Sequence, residues 1–190
     1  IRMIDYEALT YDDGKRIIGF GFYAGVVGAH NGLLTYGKKF KAFTLLPAHD
    51  CASMQEMTDQ YLEIKLPPVK IALTGSGKVA AGLLEIMHSW DIESVEPGDF
   101  LKHSYAYPVY THLKGGDLYQ HAETGLYDRN EFHQHPEKYK CLFPGFVRET
   151  DILLNGIYWD ERIPRLFERS AVQQPDFRIS VIADVTCDIN

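Results

Sequence analysis

Gly75-Ser76-Gly77-Lys78-Val79-Ala80 sets two glycines and an alanine at the spacing G-x-G-x-x-A, and that spacing suits phosphate. Gly75 permits a tight turn off a strand. Gly77 has no Cβ, so a pyrophosphate can approach backbone amides at a helix start, and Ala80 lets that helix lie close to a sheet. A helix N-terminus adds roughly half a positive charge and unpaired N–H groups. Ser76, Lys78 and Val79 fill the turn and the first helical positions, and Lys78 can add a cation. Glycines also sit in strand–helix turns for steric reasons alone, and a methyltransferase loop places them after its first strand in the same way. The flanks favour the nucleotide: residues 69–74 form a short apolar run and 78–89 carry a helical pattern, which together make half a βαβ unit. The acid that holds an adenosine ribose in such a unit lies about 20 residues on, after the second strand. Glu96 stands there, behind the candidate strand 92–95, with Asp99 as the second choice. A solvated acid in a turn is the rival reading for both.

Two more segments could meet the same ligand. Residues 151–158 and 178–185 are near-continuous apolar runs of the kind found in parallel strands covered on both faces. Ligands gather at the carboxyl ends of such strands. There Gly156 would let the chain come near a cofactor, Asn155 offers a donor and an acceptor, and Ile157 and Tyr158 follow. Asp184 and Val185 end the second run, and Asp184 could touch a nicotinamide ribose or a substrate amine, with helix capping as the rival. Tyr158 and Trp159 read as packing residues. His133-x-His135, with His121, His103 and Cys141 nearby in sequence, lacks the tight paired spacing of zinc sites, and no metal is assigned.

The elements that must position these groups follow from periodicity. Residues 15–22 read as a strand, and from residue 24 to about 36 small and apolar residues recur at helical spacing. Gly25, Gly28 and Gly32 lie in that helix at about 1 kcal/mol each, so they are expected to serve close packing. Ser53 to Glu56 has the form of a capping box, ahead of Met54, Met57, Tyr61 and Leu62 on one helical face. Residues 102–145 are rich in Tyr, His, Pro and Gly without a sustained period and read as an insertion, in which Asp128-x-x-Glu131 can cap a short helix before His135-Pro136. The expectation is an α/β chain: a Rossmann-like doubly wound parallel sheet with helices on both faces over residues 46–190. Residues 1–45 would be an interdomain strand and linking helix from a truncated partner domain.

Composition narrows the class. With 190 residues, 45% hydrophobic, the chain can bury a core, and a net charge of −7 argues against a general nucleic-acid binder. No apolar run approaches the roughly 20 residues of a membrane span, and no signal-peptide pattern opens the chain. Three cysteines far apart fit a reducing, cytoplasmic setting better than a disulfide scaffold. Ile1 lies inside an apparent strand and Asn190 directly after one, so truncation at both ends is expected.

A set of segments, in order from residue 4 to residue 188, resembles the lysine–ketoglutarate reductase (lysine-forming saccharopine dehydrogenase) family. It comprises Ile4-Asp5-Tyr6-Glu7, Arg16-Ile17-Ile18-Gly19-Phe20-Gly21, Ala24-Gly25-Val26-Val27-Gly28, Thr74-Gly75-Ser76-Gly77-Lys78-Val79 and Val95-Glu96-Pro97. It continues with Tyr127-Asp128-x-x-Glu131-Phe132-x-x-His135-Pro136-Glu137-Lys138-Tyr139, Leu154-Asn155-Gly156-Ile157-Tyr158-Trp159, Pro164-Arg165-Leu166 and Ala183-Asp184-Val185-Thr186-Cys187-Asp188. The resemblance implies a fold related to alanine dehydrogenase and transhydrogenase, with two Rossmann-like domains around a substrate cleft. It implies NAD or NADP as cofactor, and L-lysine, 2-oxoglutarate and saccharopine as substrates. Lysine's ε-amine would condense with 2-oxoglutarate, and hydride transfer to the imine carbon would give saccharopine. Glu7 and Arg16 match positions that face the cleft, and a guanidinium there suits the several carboxylates of the substrates. Such enzymes carry their acid–base lysine and histidine on an amino-terminal domain that this sequence lacks, so no catalytic residue is assigned here. That domain is an expected partner, a homo-oligomer is compatible, and an alanine-dehydrogenase-like enzyme or a non-catalytic dinucleotide-binding module are the alternatives.

Overall fold

Residues 69–74 are apolar and β-branched enough to extend, and they build the strand at the centre of the molecule. The computed structural model describes residues 2–14, 16–158 and 161–186. In it β1 (Lys70–Thr74) is flanked on both edges by parallel strands. The remaining strands are β2 (Glu93–Ser94), β3 (Val109–Leu113), β6 (Ile152–Asn155) and β7 (Val181–Asp184), and the sheet runs β2-β3-β1-β6-β7. All pairings in it are parallel, as a doubly wound α/β fold requires. A separate antiparallel pair joins β4 (Tyr119–His121) to β5 (Tyr139–Cys141).

The pleat sends alternate side chains to opposite faces, and two cores result. Ile71, Leu73, Tyr110, Ile152 and Leu154 join one cluster, while Ala72, Val109, Leu113 and Leu153 join the other. The first face is covered by α1 (Gly21–Phe40) and α3 (Lys78–Ser89). The second is covered by the short α4 (Pro97–Lys102) through Phe100, and by residues 118–167 through Phe132, Phe143, Phe146 and Leu166. Helices thus flank the sheet, long on one face and short on the other.

The glycines of α1 mark where that helix touches its neighbours. A Cβ on Gly25 would run into the Val79 carbonyl oxygen, and one on Gly82 of α3 into the Phe22 carbonyl oxygen. The two backbones therefore cross in direct contact, which side chains would forbid. Gly28 and Gly32 likewise leave room for Val185 and Ala183.

Three expectations about elements are corrected. Residues 16–20 form no strand, only an isolated antiparallel bridge from Arg16 to Thr10, and they are exposed ahead of α1. Beside that bridge the Ile17 amide donates to Leu9 O at 2.9 Å, but among the described residues no strand runs along the segment, and α1 takes over at Gly21. Residues 102–145 are not all insertion, because β3 lies among them as an interior strand. The helix α2 (Met54–Asp59) is capped as expected, with Ser53 Oγ accepting from the Glu56 amide at 3.1 Å. It tightens into a 3-10 turn over Gln60–Glu63, and that change of pitch leaves Tyr61 buried but turns Leu62 out to 84% exposure.

Candidate nucleotide-binding site

The expected strand, turn and helix are present: β1 ends at Thr74, Gly75 to Gly77 turn, and α3 starts at Lys78. Gly75 has φ +111°, a backbone conformation that L side chains rarely adopt, and a Cβ there would strike the Gly156 carbonyl. Its amide donates to Leu113 O at 3.1 Å, and its carbonyl oxygen accepts from His112 Nε2 at 2.7 Å. The turn is therefore tied to the end of β3. Gly77 differs, since a Cβ built on it meets nothing within 4 Å. It is the N-cap of α3 and carries no side-chain cap, so no side chain of its own satisfies the amides of the first turn. The space beside Gly77 is therefore unfilled by the protein. Ala80 is buried at 1% exposure beneath it.

The start of α1 stands beside the start of α3. A Cβ on Gly21 would lie 3.3 Å from Lys78 Cβ, and one on Gly19 3.5 Å from Lys78 Nζ. Lys78 and Val79 are thus bracketed by the segment that carries Arg16. Arg16 itself is exposed. The backbone of Glu7 lies in a 3-10 turn over Tyr6–Ala8, and its side chain lies outside the described residues.

A cavity of about 260 Å³ opens over the turn at the carboxyl edge of the sheet. Gly75 and Ser76 form its floor, Lys114 and Gly115 one wall, and Ile157 and Tyr158 another. The far side comes from the insertion: Tyr119 on β4, Tyr127, and Arg129, Phe132 and His133 on α5 (Arg129–Gln134). The helix α5 forms because Asp128 Oδ1 accepts from the Glu131 amide at 2.8 Å, and Tyr127 lies over Gly115 and Gly116. Sequence reasoning did not bring Lys114 or Arg129 to this cavity, and it weighed His133 only as a metal ligand. The signal available was the β-branched and aromatic run 109–111 between Pro108 and Gly115-Gly116, which marks a strand whose end must carry ligand contacts.

The expected residues are only partly brought together. Asn155 is 7% exposed and faces its own sheet: it accepts from Thr74 Oγ1 at 2.5 Å and donates through Nδ2 to Asp184 Oδ1 at 3.0 Å. Asp184 also accepts from the Thr186 amide and hydroxyl. Thr74, Asn155 and Asp184 are equivalent positions on β1, β6 and β7, so this chain of bonds ties the strand ends. Gly156 is buried, where a Cβ would sit 2.9 Å from Leu83 Cδ1, so its small size serves helix packing. Val185 packs under α1 at Gly28. Tyr158 is 74% exposed at the cavity, against the packing role expected for it. Trp159, Cys187 and Asp188 lie outside the described residues.

Glu96 is not brought to the turn. It is the N-cap of α4 behind β2, and β3 separates β2 from β1. Two strand spacings put it about 10 Å across the sheet. Lys102 and His103 are farther away, because the His103 carbonyl accepts from Lys70 Nζ at 3.1 Å, at the opposite end of β1. His121 and His135 each face a glutamate, Glu131 at 4.0 Å and Glu137 at 3.1 Å. Among the described residues no three His, Cys, Asp or Glu side chains gather as a metal site.

No protein-family model matches the chain. Among curated proteins it is 32% identical to a mitochondrial alpha-aminoadipic semialdehyde synthase of Rattus norvegicus over 91% of its length, and 26% identical to one of Arabidopsis thaliana over its whole length. It is 22% identical over 98% of its length to an NAD(+), L-lysine-forming saccharopine dehydrogenase of Neurospora crassa. The chain spans about a fifth of the length of the two synthases (21%) and under half of the fungal enzyme (44%).

Proposed function

Since the chain is related over nearly its whole length to a segment of the semialdehyde synthases and saccharopine dehydrogenases, we propose that it is the cofactor-binding portion of an oxidoreductase that forms or cleaves saccharopine. The substrates in this reading are L-lysine and 2-oxoglutarate, with NAD or NADP as cofactor. The observation that carries the binding role is the open space at Gly77, set at the uncapped N-terminus of α3 and beside the cavity on Gly75 and Ser76.

Each group has a task in this proposal. Gly75, Ser76, Gly77, Lys78 and Val79 hold the pyrophosphate. Ile157 and Tyr158 line the part of the cavity beyond β6, toward the nicotinamide, which when bound supplies or takes the hydride. Asn155 fixes the ends of β1 and β7 through Thr74 and Asp184, and Val185 seats α1 at Gly28 behind them, so Asn155, Asp184 and Val185 support the site rather than line the cavity. Arg16, on the segment that reaches Lys78, meets substrate carboxylates together with Glu7. The acid–base groups come from a further domain. Met3, Ile4, Phe20 and Tyr23, each more than half exposed, suit contact with it. Cys51 and Cys141 are free thiols, which suits a reducing, cytoplasmic compartment, and no helix among the described residues is long and apolar enough to cross a membrane.

The test is Gly77→Val. Nothing lies within 4 Å of the new Cβ, so the fold should persist while the branched side chain fills the phosphate space. Calorimetric titration with NADH and NADPH is expected to show binding to the parent chain and none to the variant, with unchanged far-ultraviolet circular dichroism. Equal binding by both proteins would remove the assignment.

A further inference from the structure

The cavity over the glycine turn is basic although the chain as a whole carries a net charge of −7. Lys114, Arg129 and His133 line it, and no Asp or Glu does so among the described residues. The acids close by are engaged in hydrogen bonds of their own. Asp117 Oδ2 accepts from the Lys114 amide at 3.2 Å, and Asp128 caps α5. Glu131 accepts from Lys138 Nζ and from the Tyr139 hydroxyl, both at 3.0 Å.

Strand order says which part of a dinucleotide this charge would meet. The adenosine ribose lies at the end of the strand beside the glycine strand, where an acid takes a free 2′-hydroxyl and an arginine accommodates a 2′-phosphate. The strand beside β1 is β3, whose last residue, Leu113, accepts from the Gly75 amide. The residues that follow it are Lys114 and Gly115. Tyr127 packs on Gly115 and Gly116, and that contact brings Arg129, two residues later, to the same cavity. The acid that would favour the unphosphorylated cofactor, Glu96, stands two strands away from β1.

We propose that the Tyr- and His-rich insertion is part of the dinucleotide site, and that Arg129 on it, with Lys114, selects the cofactor that bears a phosphate on its adenosine ribose. The proposal rests on the dinucleotide reading above. Arg129 supplies a planar fork that matches phosphate geometry, and Lys114 adds a point charge.

The experiment titrates the whole chain with NADP and with NAD by calorimetry, then repeats both titrations on Arg129→Gln and Lys114→Gln. Adenosine 2′,5′-bisphosphate and adenosine 5′-monophosphate serve as fragment probes. The parent is expected to bind NADP at least tenfold more tightly than NAD, with the same preference between the fragments. Arg129→Gln is expected to weaken NADP by about 10- to 100-fold, the range for a hydrogen bond to a charged group, and to change NAD by less than threefold. Two results overturn the proposal: no preference in the parent, or an equal loss of both cofactors in Arg129→Gln, which would place Arg129 on the shared pyrophosphate. If the parent binds neither dinucleotide, the functional reading above fails with it. Binding of both without preference sinks the selection alone.

Discussion

His30 has no exposed surface, yet both of its ring nitrogens have partners. Nε2 is 2.7 Å from the Leu46 carbonyl, which can only accept, so Nε2 carries the proton and Nδ1 accepts from the Tyr61 hydroxyl at 2.7 Å. Burial pushes its pKa below the usual 6.5, although the bond to Leu46 opposes that shift. A histidine lowered in the fold binds fewer protons than in the unfolded chain, so stability is full above about pH 6.5 and is lost as the pH falls toward the lowered value. Urea midpoints measured from pH 7.5 to 5 should therefore fall more steeply for the parent than for His30→Gln, which has no proton to take up there. Parallel slopes would refute the role. At this scale the glycines of the turn were legible, because Gly75 and Gly77 act on their own immediate backbone. His30 was not, since its partners lie 16 and 31 residues away, and neither was the Asn155 bridge between Thr74 and Asp184. Spacing identifies groups able to bond but cannot tell a ligand from a neighbouring strand.

Between elements, the crossing of α1 and α3 gives the sharpest test. Helix propensity alone favours alanine over glycine by about 1 kcal/mol, so Gly82→Ala on an isolated helix would stabilise. Here the added methyl meets the Phe22 backbone, which cannot move aside as a flexible side chain would. Gly82→Ala is expected to destabilise the chain by about 2–4 kcal/mol in urea denaturation, since a backbone shift must be added to ordinary overpacking. A gain in stability would show that the helices do not cross there. The helical spacing and the excess of glycine in α1 foretold close packing but not the partner. The strand β3 escaped notice because Thr111 and His112 break its apolar run, while β2 drew attention by standing at the usual distance from the glycine turn. The place beside β1 expected for the second strand is taken by β3, and β2 stands at the edge. That order leaves Glu96 two strands from β1 and puts Lys114 directly after the strand beside it.

For the molecule as a whole, a ligand that binds only the folded chain stabilises it by mass action, about 2.7 kcal/mol at a concentration 100 times its dissociation constant. A domain of this size gains roughly 2–4 °C per kcal/mol. Thermal unfolding at that excess of dinucleotide should therefore shift upward by roughly 5–10 °C in the parent and by nothing in Gly77→Val. A shift in both would mean that the ligand binds away from the turn. The α/β class, the strand–turn–helix unit and the small residues of its turn were determined by the sequence itself, since each depends on periodicity or backbone sterics within about 20 residues. The related proteins bear out the resemblance carried by the ordered segments along the chain. Only the tertiary structure decided which strand lies beside β1, which side chains ring the cavity, and that the insertion reaches it. Parallel neighbours are joined by crossovers rather than by tight turns, so their order is settled by packing between distant segments. The same packing closes a basic wall of Lys114, Arg129 and His133 around Gly75 in an acidic chain.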